Sequence, residues 1–230
     1  MKERIKLKIL HWFFPNKCVS CRKVISFDGL FCKECESKLI RPSGKRCKIC
    51  FATKEKCNCL KEPKFYFRAT SPFIYKDSAK NAILKLKFIK HKRLADFFAA
   101  NMKAVMDKKF KDVKFDAIFP VPLHKSRINQ RGFNQSLVLA NSLSKLINVP
   151  VIDNKLLRVK KGKNQHTLKF KERKENVKGL YKASNISINC QRVLLIDDIM
   201  TSGATLNECA KILRLEGVPK IYCITAAKVE

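Results

Sequence analysis

Acidic residues are scarce in this chain: 19 Asp and Glu stand against 50 Lys and Arg in 230 residues, a formal net charge of +31. Residues 191–230 carry five charges of each sign, so the excess lies on the first 190 residues. Such a field points to nucleic acid or another polyanion, bound in a salt-dependent way. Lysine-rich composition also arises from AT-rich genomes, so charge alone does not name a partner. Long apolar runs are missing. None approaches the ~20 residues a transmembrane helix needs, which excludes a helical span. Nor is a cleavable signal peptide expected, because the apolar stretch Ile9–Phe14 is short and runs straight into Pro15. There are only seven glycines. No lysine-bearing G-x-x-x-x-G-K-[ST] loop occurs, and Gly203 is the lone glycine where a dinucleotide fingerprint needs three, which excludes both nucleotide-binding loops. No helix-turn-helix pattern stands out, which argues against operator recognition. The four histidines have no evident partner and give no sign of acid–base chemistry.

What is present is concentrated in residues 193–206, VLLIDDIMTSGATL. The β-branched and apolar run Val193–Ile196 ends in two carboxylates, Asp197 and Asp198. A loop of small residues, Thr201, Ser202, Gly203, Ala204 and Thr205, follows. Leu206, Cys209, Ala210 and Leu213 then fall on one helical face, with Gly217 as C-cap. Strand, loop and helix in this order present free amides at a helix N-terminus to a phosphate. Gly203 permits close approach, and the hydroxyls add donors. Paired carboxylates at a strand end suit sugar hydroxyls with a divalent cation nearby. The plain alternative is an ordinary turn after a buried strand, but two adjacent acids there are costly unless used. The segment resembles the phosphoribosyl pyrophosphate (PRPP) loop of type I phosphoribosyltransferases. The resemblance implies that Asp197 and Asp198 bind the ribose hydroxyls and Thr201–Thr205 the 5-phosphate, with Mg²⁺ accompanying PRPP.

Eight of the eleven cysteines lie between Cys18 and Cys59. They pair as Cys18-x-x-Cys21, Cys32-x-x-Cys35, Cys47-x-x-Cys50 and Cys57-x-Cys59. A C-x-x-C knuckle aims two thiolates at one tetrahedral ion, and two knuckles complete a site. The expected grouping is Cys18, Cys21, Cys32 and Cys35 for one zinc, and Cys47, Cys50, Cys57 and Cys59 for another. Four disulfides of a secreted module are the competing reading, disfavoured because no cleavable leader is expected and because the phosphate–sugar motif suggests the cytoplasm. Complete four-sulfur sites are structural. Cys57-x-Cys59 is one residue shorter than a normal knuckle, so either one ion or two remain open. Cys190, Cys209 and Cys223 read as packing residues.

Asp116–Val121 reads as a buried strand, and Pro122 begins a loop because proline cannot continue the ladder. That loop carries Lys125, Arg127 and Arg131 before Gly132, a setting suited to a diphosphate or simply to solvent. A helix is expected over 133–147 with Phe133, Leu137, Ala140, Leu143 and Leu146 inward. Residues 159–178 are rich in lysine, lack apolar periodicity and read as a long loop. Aromatics interleave with cations in residues 61–76 and 84–93. There Phe65, Tyr66, Phe67 and Phe88 are candidates to stack on unpaired bases, or else core residues. Ile5, Ile9, Trp12 and Phe13 share a helical face beside Lys2, Arg4, Lys6 and Lys8. That face suits an acidic membrane surface or, in our preferred reading, packing on its own domain.

Taken together, FFPNKCVSC (13–21), CKIC (47–50), AILKLKF (82–88), PVPLHKSRINQRGFNQS (120–136), KERKENVKGLY (171–181) and VLLIDDIMTSGATL (193–206) resemble the ComF family (ComFC and GntX-like proteins) over nearly the whole chain. The short Cys57-x-Cys59 departs from the family's usual C-x-x-C, and Gln165-His166-Thr167 stands where relatives have Thr-Pro-rich sequence. The resemblance implies an N-terminal double zinc ribbon, residues 1–62. It also implies an α/β domain of type I phosphoribosyltransferase-like fold, residues 63–230, with a mainly parallel sheet. Strands are expected near 70–75, 116–121, 192–197 and 219–226, and helices near 78–106, 133–147 and 203–216, with the ligand at the C-terminal strand ends. It further implies Arg127 and Arg131 as pyrophosphate contacts. Gln165, Arg173 and Asn176 would lie on a loop that closes over PRPP. Two functions follow. One is a protein of DNA uptake in natural transformation, at the cytoplasmic face of the inner membrane. It would bind PRPP and single-stranded DNA and meet a DNA-translocating helicase or membrane channel. The other is a phosphoribosyltransferase that displaces pyrophosphate from PRPP with an acceptor the sequence does not identify.

Overall fold

The computed structural model describes residues 15–89, 91–160, 177–184 and 189–230. Its strands are β1 (Arg68–Thr70), β2 (Phe73–Ile74), β3 (Ala117–Pro120), β4 (Leu156–Arg158), β5 (Tyr181–Ala183), β6 (Arg192–Met200) and β7 (Lys220–Lys228). Its helices are α1 (Lys33–Ser37), α2 (Asp77–Phe88), α3 (Lys92–Lys109), α4 (Lys125–Arg131), α5 (Gln135–Ile147) and α6 (Ala204–Leu215). Five strands make a parallel sheet in the order β1-β7-β6-β3, with β2 also pairing β7. β4 and β5 pair antiparallel as a separate ribbon.

β6 is apolar at every position from Val193 to Ile196 because both faces of the sheet are covered. Leu194 and Ile196 join the core with Ile83, Leu86, Phe98 and Leu139 from α2, α3 and α5. Val193 and Leu195 face the opposite core with Leu206, Cys209, Ala210 and Leu213 of α6. The buried face of α6 is thus the one its periodicity predicts. Each half of the cysteine-rich segment packs on a different side: Val19 enters the first core and Phe51 the second. Backbone hydrogen bonds tie both halves down, Ile74 N–H to Ile40 O at 2.9 Å and Ala69 N–H to Ile49 O at 2.7 Å.

Four expectations need correction. The helix over 78–106 is two helices, α2 and α3. Ile89 is extended between them, and His91 caps α3 by accepting from Leu94 N–H. The expected loop of Lys125, Arg127 and Arg131 is helix α4. It starts at the His124 cap and stops at Gly132, whose φ of 78° only glycine adopts freely. The inward face of α5 carries Ser136, Leu139, Ala140 and Leu143, while Leu146 is exposed. Asn134, capping α5 and donating to Val121 O at 3.0 Å, sets that rotation. β6 does not end at the acids but runs on to Met200, with Asp197 opposite Thr225. No helix among the described residues is long and apolar enough to cross a membrane. Ile5, Ile9, Trp12 and Phe13 lie outside the described residues, as do Gln165, Arg173 and Asn176.

Candidate functional site

The C-terminal ends of β3 and β6 open into a cleft of about 110 Å³. β6 brings Asp197 and Asp198 to it, the following loop Thr201, the first turn of α6 Thr205, and α4 Arg127 and Arg131. These six candidates, drawn from segments some seventy residues apart in sequence, line one wall or another of a single cleft. Ser202 lines the cavity next door, which Thr201 also borders. Gly203 and Ala204 form the start of α6. Gly203 has φ 76°, and a Cβ there would stand 3.2 Å from Tyr66 Oη, so both backbone and space call for glycine.

The cleft holds charges of both signs. Asp197 Oδ1 accepts from Ser136 Oγ and from the Asp198 N–H, each at 2.9 Å. It faces the cleft but is otherwise enclosed. Burial first, then the neighbouring Asp198 charge, pushes its pKa up to about 7. Lys87 Nζ lies 3.3 Å from Asp198 Oδ2, and both side chains are largely buried. The pair is out of hydrogen-bond alignment, so that buried oxygen accepts no hydrogen bond among the described residues. Such an oxygen is of the kind that suits a sugar hydroxyl or a hard divalent cation such as Mg²⁺. Arg127, Arg131 and Arg158 line the same cleft, near enough for their charges to act on one another. Burial, then the Arg158 and Arg131 charges, holds Arg127 below its ordinary pKa. Such a group of guanidiniums is eased by an anion, and their planar forks suit phosphate. Arg158 also stands 5.6 Å over the Tyr181 ring. Below the loop, Lys228 Nζ donates to Thr201 O and Val229 O, both at 2.9 Å, and burial pushes its pKa down to about 8.

Sequence reasoning missed Lys87, Gln135, Ser136, Arg158 and Tyr181 as cleft residues. For Lys87 a signal existed: it falls four residues after Ile83 on the buried face of α2, a poor place for an unused charge. Arg158 and Tyr181 come from β4 and β5, which periodicity did not disclose. Lys125 is exposed and outside the cleft lining.

The eight cysteines form two groups, Cys18, Cys21, Cys32, Cys35 and Cys47, Cys50, Cys57, Cys59, each with sulfurs within 4.8 Å of one another. Cys21 and Cys32 sulfurs are 3.6 Å apart, Cys50 and Cys57 3.7 Å, and Cys47 and Cys59 3.9 Å. These are too long for disulfides. They match the edge of about 3.8 Å in a tetrahedron with zinc–sulfur bonds of about 2.3 Å. The short Cys57-x-Cys59 spacing therefore still delivers both sulfurs to one group. Cys209 and Cys223 are core residues, and Cys190 packs at the core's edge. Tyr66 is also core, 2 % exposed, so only Phe65, Phe67 and Phe88 of the four aromatic candidates reach solvent.

Residues 9–61 match the Double zinc ribbon domain family, and residues 134–229 the Phosphoribosyl transferase domain family. The chain is 32% identical to Competence protein F of Haemophilus influenzae, over 91% of this chain and 95% of that protein. It is 27% identical to Competence protein ComFC of Bacillus subtilis, covering 83% and 80% of the two chains. It is 24% identical to the DNA utilization protein YhgH of Escherichia coli K12, covering 96% and 93%. The protein belongs to the ComF family: a double zinc ribbon, with two four-cysteine groups suited to structural zinc, joined to a phosphoribosyltransferase-like domain.

Proposed function

We propose that the cleft binds PRPP with Mg²⁺, and that the protein also binds single-stranded DNA in the service of DNA uptake. One observation carries the ligand: Asp197 and Asp198 stand in the same cleft as Thr201, Thr205 and three arginines. PRPP is a ribose with free 2- and 3-hydroxyls, a 5-phosphate and a pyrophosphate. In this reading the carboxylates take the hydroxyls, the loop Thr201–Thr205 takes the 5-phosphate, and Arg127 and Arg131 take the pyrophosphate. Bound Mg²⁺ offsets the charge between pyrophosphate and carboxylates. Ser136 orients Asp197 through its hydroxyl, and Lys228 steadies the loop by holding the Thr201 carbonyl. The names of the relatives support the DNA-uptake role, and the net charge of +31 supports a polyanionic partner. A site of action at the cytoplasmic face of the inner membrane, beside a DNA-translocating helicase or channel, belongs to the same reading.

Calorimetric titration with PRPP, ribose 5-phosphate and pyrophosphate, each with and without Mg²⁺, tests the ligand. PRPP should bind more tightly than either fragment and should need the cation. Equal affinity for pyrophosphate alone would reduce the cleft to a general anion site. The transferase alternative is read in the same samples. Pyrophosphate release that depends on an added base or amine makes the protein an enzyme.

A further inference from the structure

Three depressions share lining residues. Thr201 borders both the PRPP-type cleft and a cavity of about 390 Å³ between the second cysteine group and the end of β7. Lys64 borders both that cavity and a third hollow of about 340 Å³ that holds Phe65, Phe67 and Arg214. The second and third hollows draw their walls from both ribbon and sheet domain and form a trough along that seam, which meets the PRPP-type cleft at Thr201.

Its chemistry alternates. The middle cavity gathers Arg46, Lys56, Lys64 and Lys228 against one lining acid, Glu230. Arg46 pairs with Glu230, and Lys64 lies 3.7 Å from Glu62. Lys228 is only 8 % exposed and has no carboxylate within ion-pair distance among the described residues. Its hydrogen bonds go to two carbonyls, and beside Cys50 and Glu230 the cavity's cations leave room for a further anion. Beyond Lys64 come two anchored aromatic rings. Phe67 is 49 % exposed and braced edge-on by Tyr222 at 5.4 Å, with Arg68 5.4 Å from its centroid. Phe65 is 42 % exposed and fixed by its N–H to Asn207 Oδ1 at 2.8 Å, with Lys211 5.9 Å from its ring. Solvent-facing rings flanked by cations and next to a cationic cavity match a strand of alternating phosphates and bases. An acidic peptide would use the cations and leave the rings idle.

We propose that this seam is the track for single-stranded nucleic acid, with backbone phosphate in the Arg46–Lys56–Lys228 cavity and bases on Phe65 and Phe67. The inference rests on the DNA-binding reading above and gives it an address. It also makes the strand a neighbour of the ribose phosphate, with Thr201 between them.

The test uses the full chain and a labelled oligothymidylate, followed by fluorescence anisotropy across a salt series. Phe65→Ala with Phe67→Ala, both exposed positions, should weaken binding at least tenfold while PRPP affinity stays unchanged. Lys56→Glu with Lys211→Glu should weaken it more than the charge-matched control Lys33→Glu with Lys80→Glu, which lies on the first ribbon half and α2. Tight binding by the wild type that neither trough variant alters would overturn the track and leave DNA binding standing. No binding by the wild type at low salt would overturn both. An oligoglutamate bound as tightly as the oligothymidylate would overturn the nucleic-acid track in favour of an acidic peptide.

Discussion

Lys87 Nζ sits 3.3 Å from Asp198 Oδ2, joining the end of α2 to the acids of β6 within the cleft that both line. The contact places a cation from a segment more than a hundred residues away beside the carboxylate assigned to ribose. It offsets the charge that two adjacent buried acids would otherwise impose on the cleft.

Lys87→Met removes that cation and leaves Asp198 buried and uncompensated. We expect a loss of about 3 kcal/mol in urea unfolding, in line with breaking a buried pair from one side. Adding Asp198→Asn should restore much of it. A single variant as stable as wild type would mean the pair is solvated in practice.

Gly203 and Tyr66 form a second coupled pair. Tyr66 Oη is buried without a hydrogen-bond partner among the described residues, and it occupies the space a Cβ at 203 would enter. Gly203→Ala should cost about 1–3 kcal/mol from its positive φ and this crowding. Tyr66→Phe should be neutral or stabilise by up to about 1 kcal/mol, and it should relieve part of the Gly203→Ala loss in the double variant. Thermal melts of the four proteins decide this.

Zinc content should be two per chain. Cys57→Ser or Cys59→Ser should lower it to one and leave the Cys18 group loaded. Val19 and Phe51 lie in the two main cores, so stripping the metal should lower the melting temperature of the whole chain and not only of residues 15–61. A chelated protein with an unchanged melt would contradict this.

Affinity for Mg²⁺–PRPP should depend on pH. Asp197 has a pKa raised to about 7 by burial and by Asp198, so the free protein holds its proton below that pH. Ligand binding through the carboxylate must release it, and affinity should fall by roughly tenfold per unit as pH drops below about 7. For folding the sign is opposite. The raised pKa favours the folded state below the unfolded value near 4, and that contribution is lost as pH rises through about 7. Titration at pH 8 and pH 6 in buffers of different ionisation heat measures both affinity and proton release, and Asp197→Asn should flatten the profile.

Much of this was legible in the sequence because it is local. The β-branched, apolar run Val193–Ile196 reads as a strand covered on both sides, and Leu206, Cys209, Ala210 and Leu213 give one buried stripe. The break at Ile89–His91 was not legible, since the apolar spacing continues from Leu86 to Leu94 across it and only a cap from His91 marks the restart. Helix α4 buries no residue, so it leaves no stripe to read. β4 and β5 have three residues each and lie more than twenty positions apart, too short and too distant for alternation to disclose the pair. Lys87, Ser136, Arg158 and Tyr181 reach the cleft only because of those tertiary arrangements. The acids with their loop, and the two arginines, stand out in sequence because each group is a short local cluster, and the fold brings members of both into one cleft.

The most direct measurement is calorimetry of Mg²⁺–PRPP with wild type and with Asp197→Asn plus Asp198→Asn, with oligothymidylate binding measured on the same preparations. The account predicts saturable one-to-one PRPP binding by the wild type, its loss by at least a hundredfold in the double variant, and little change in oligothymidylate affinity. Equal PRPP affinity in the two proteins would show that the carboxylate pair does not hold the ribose and would contradict the site.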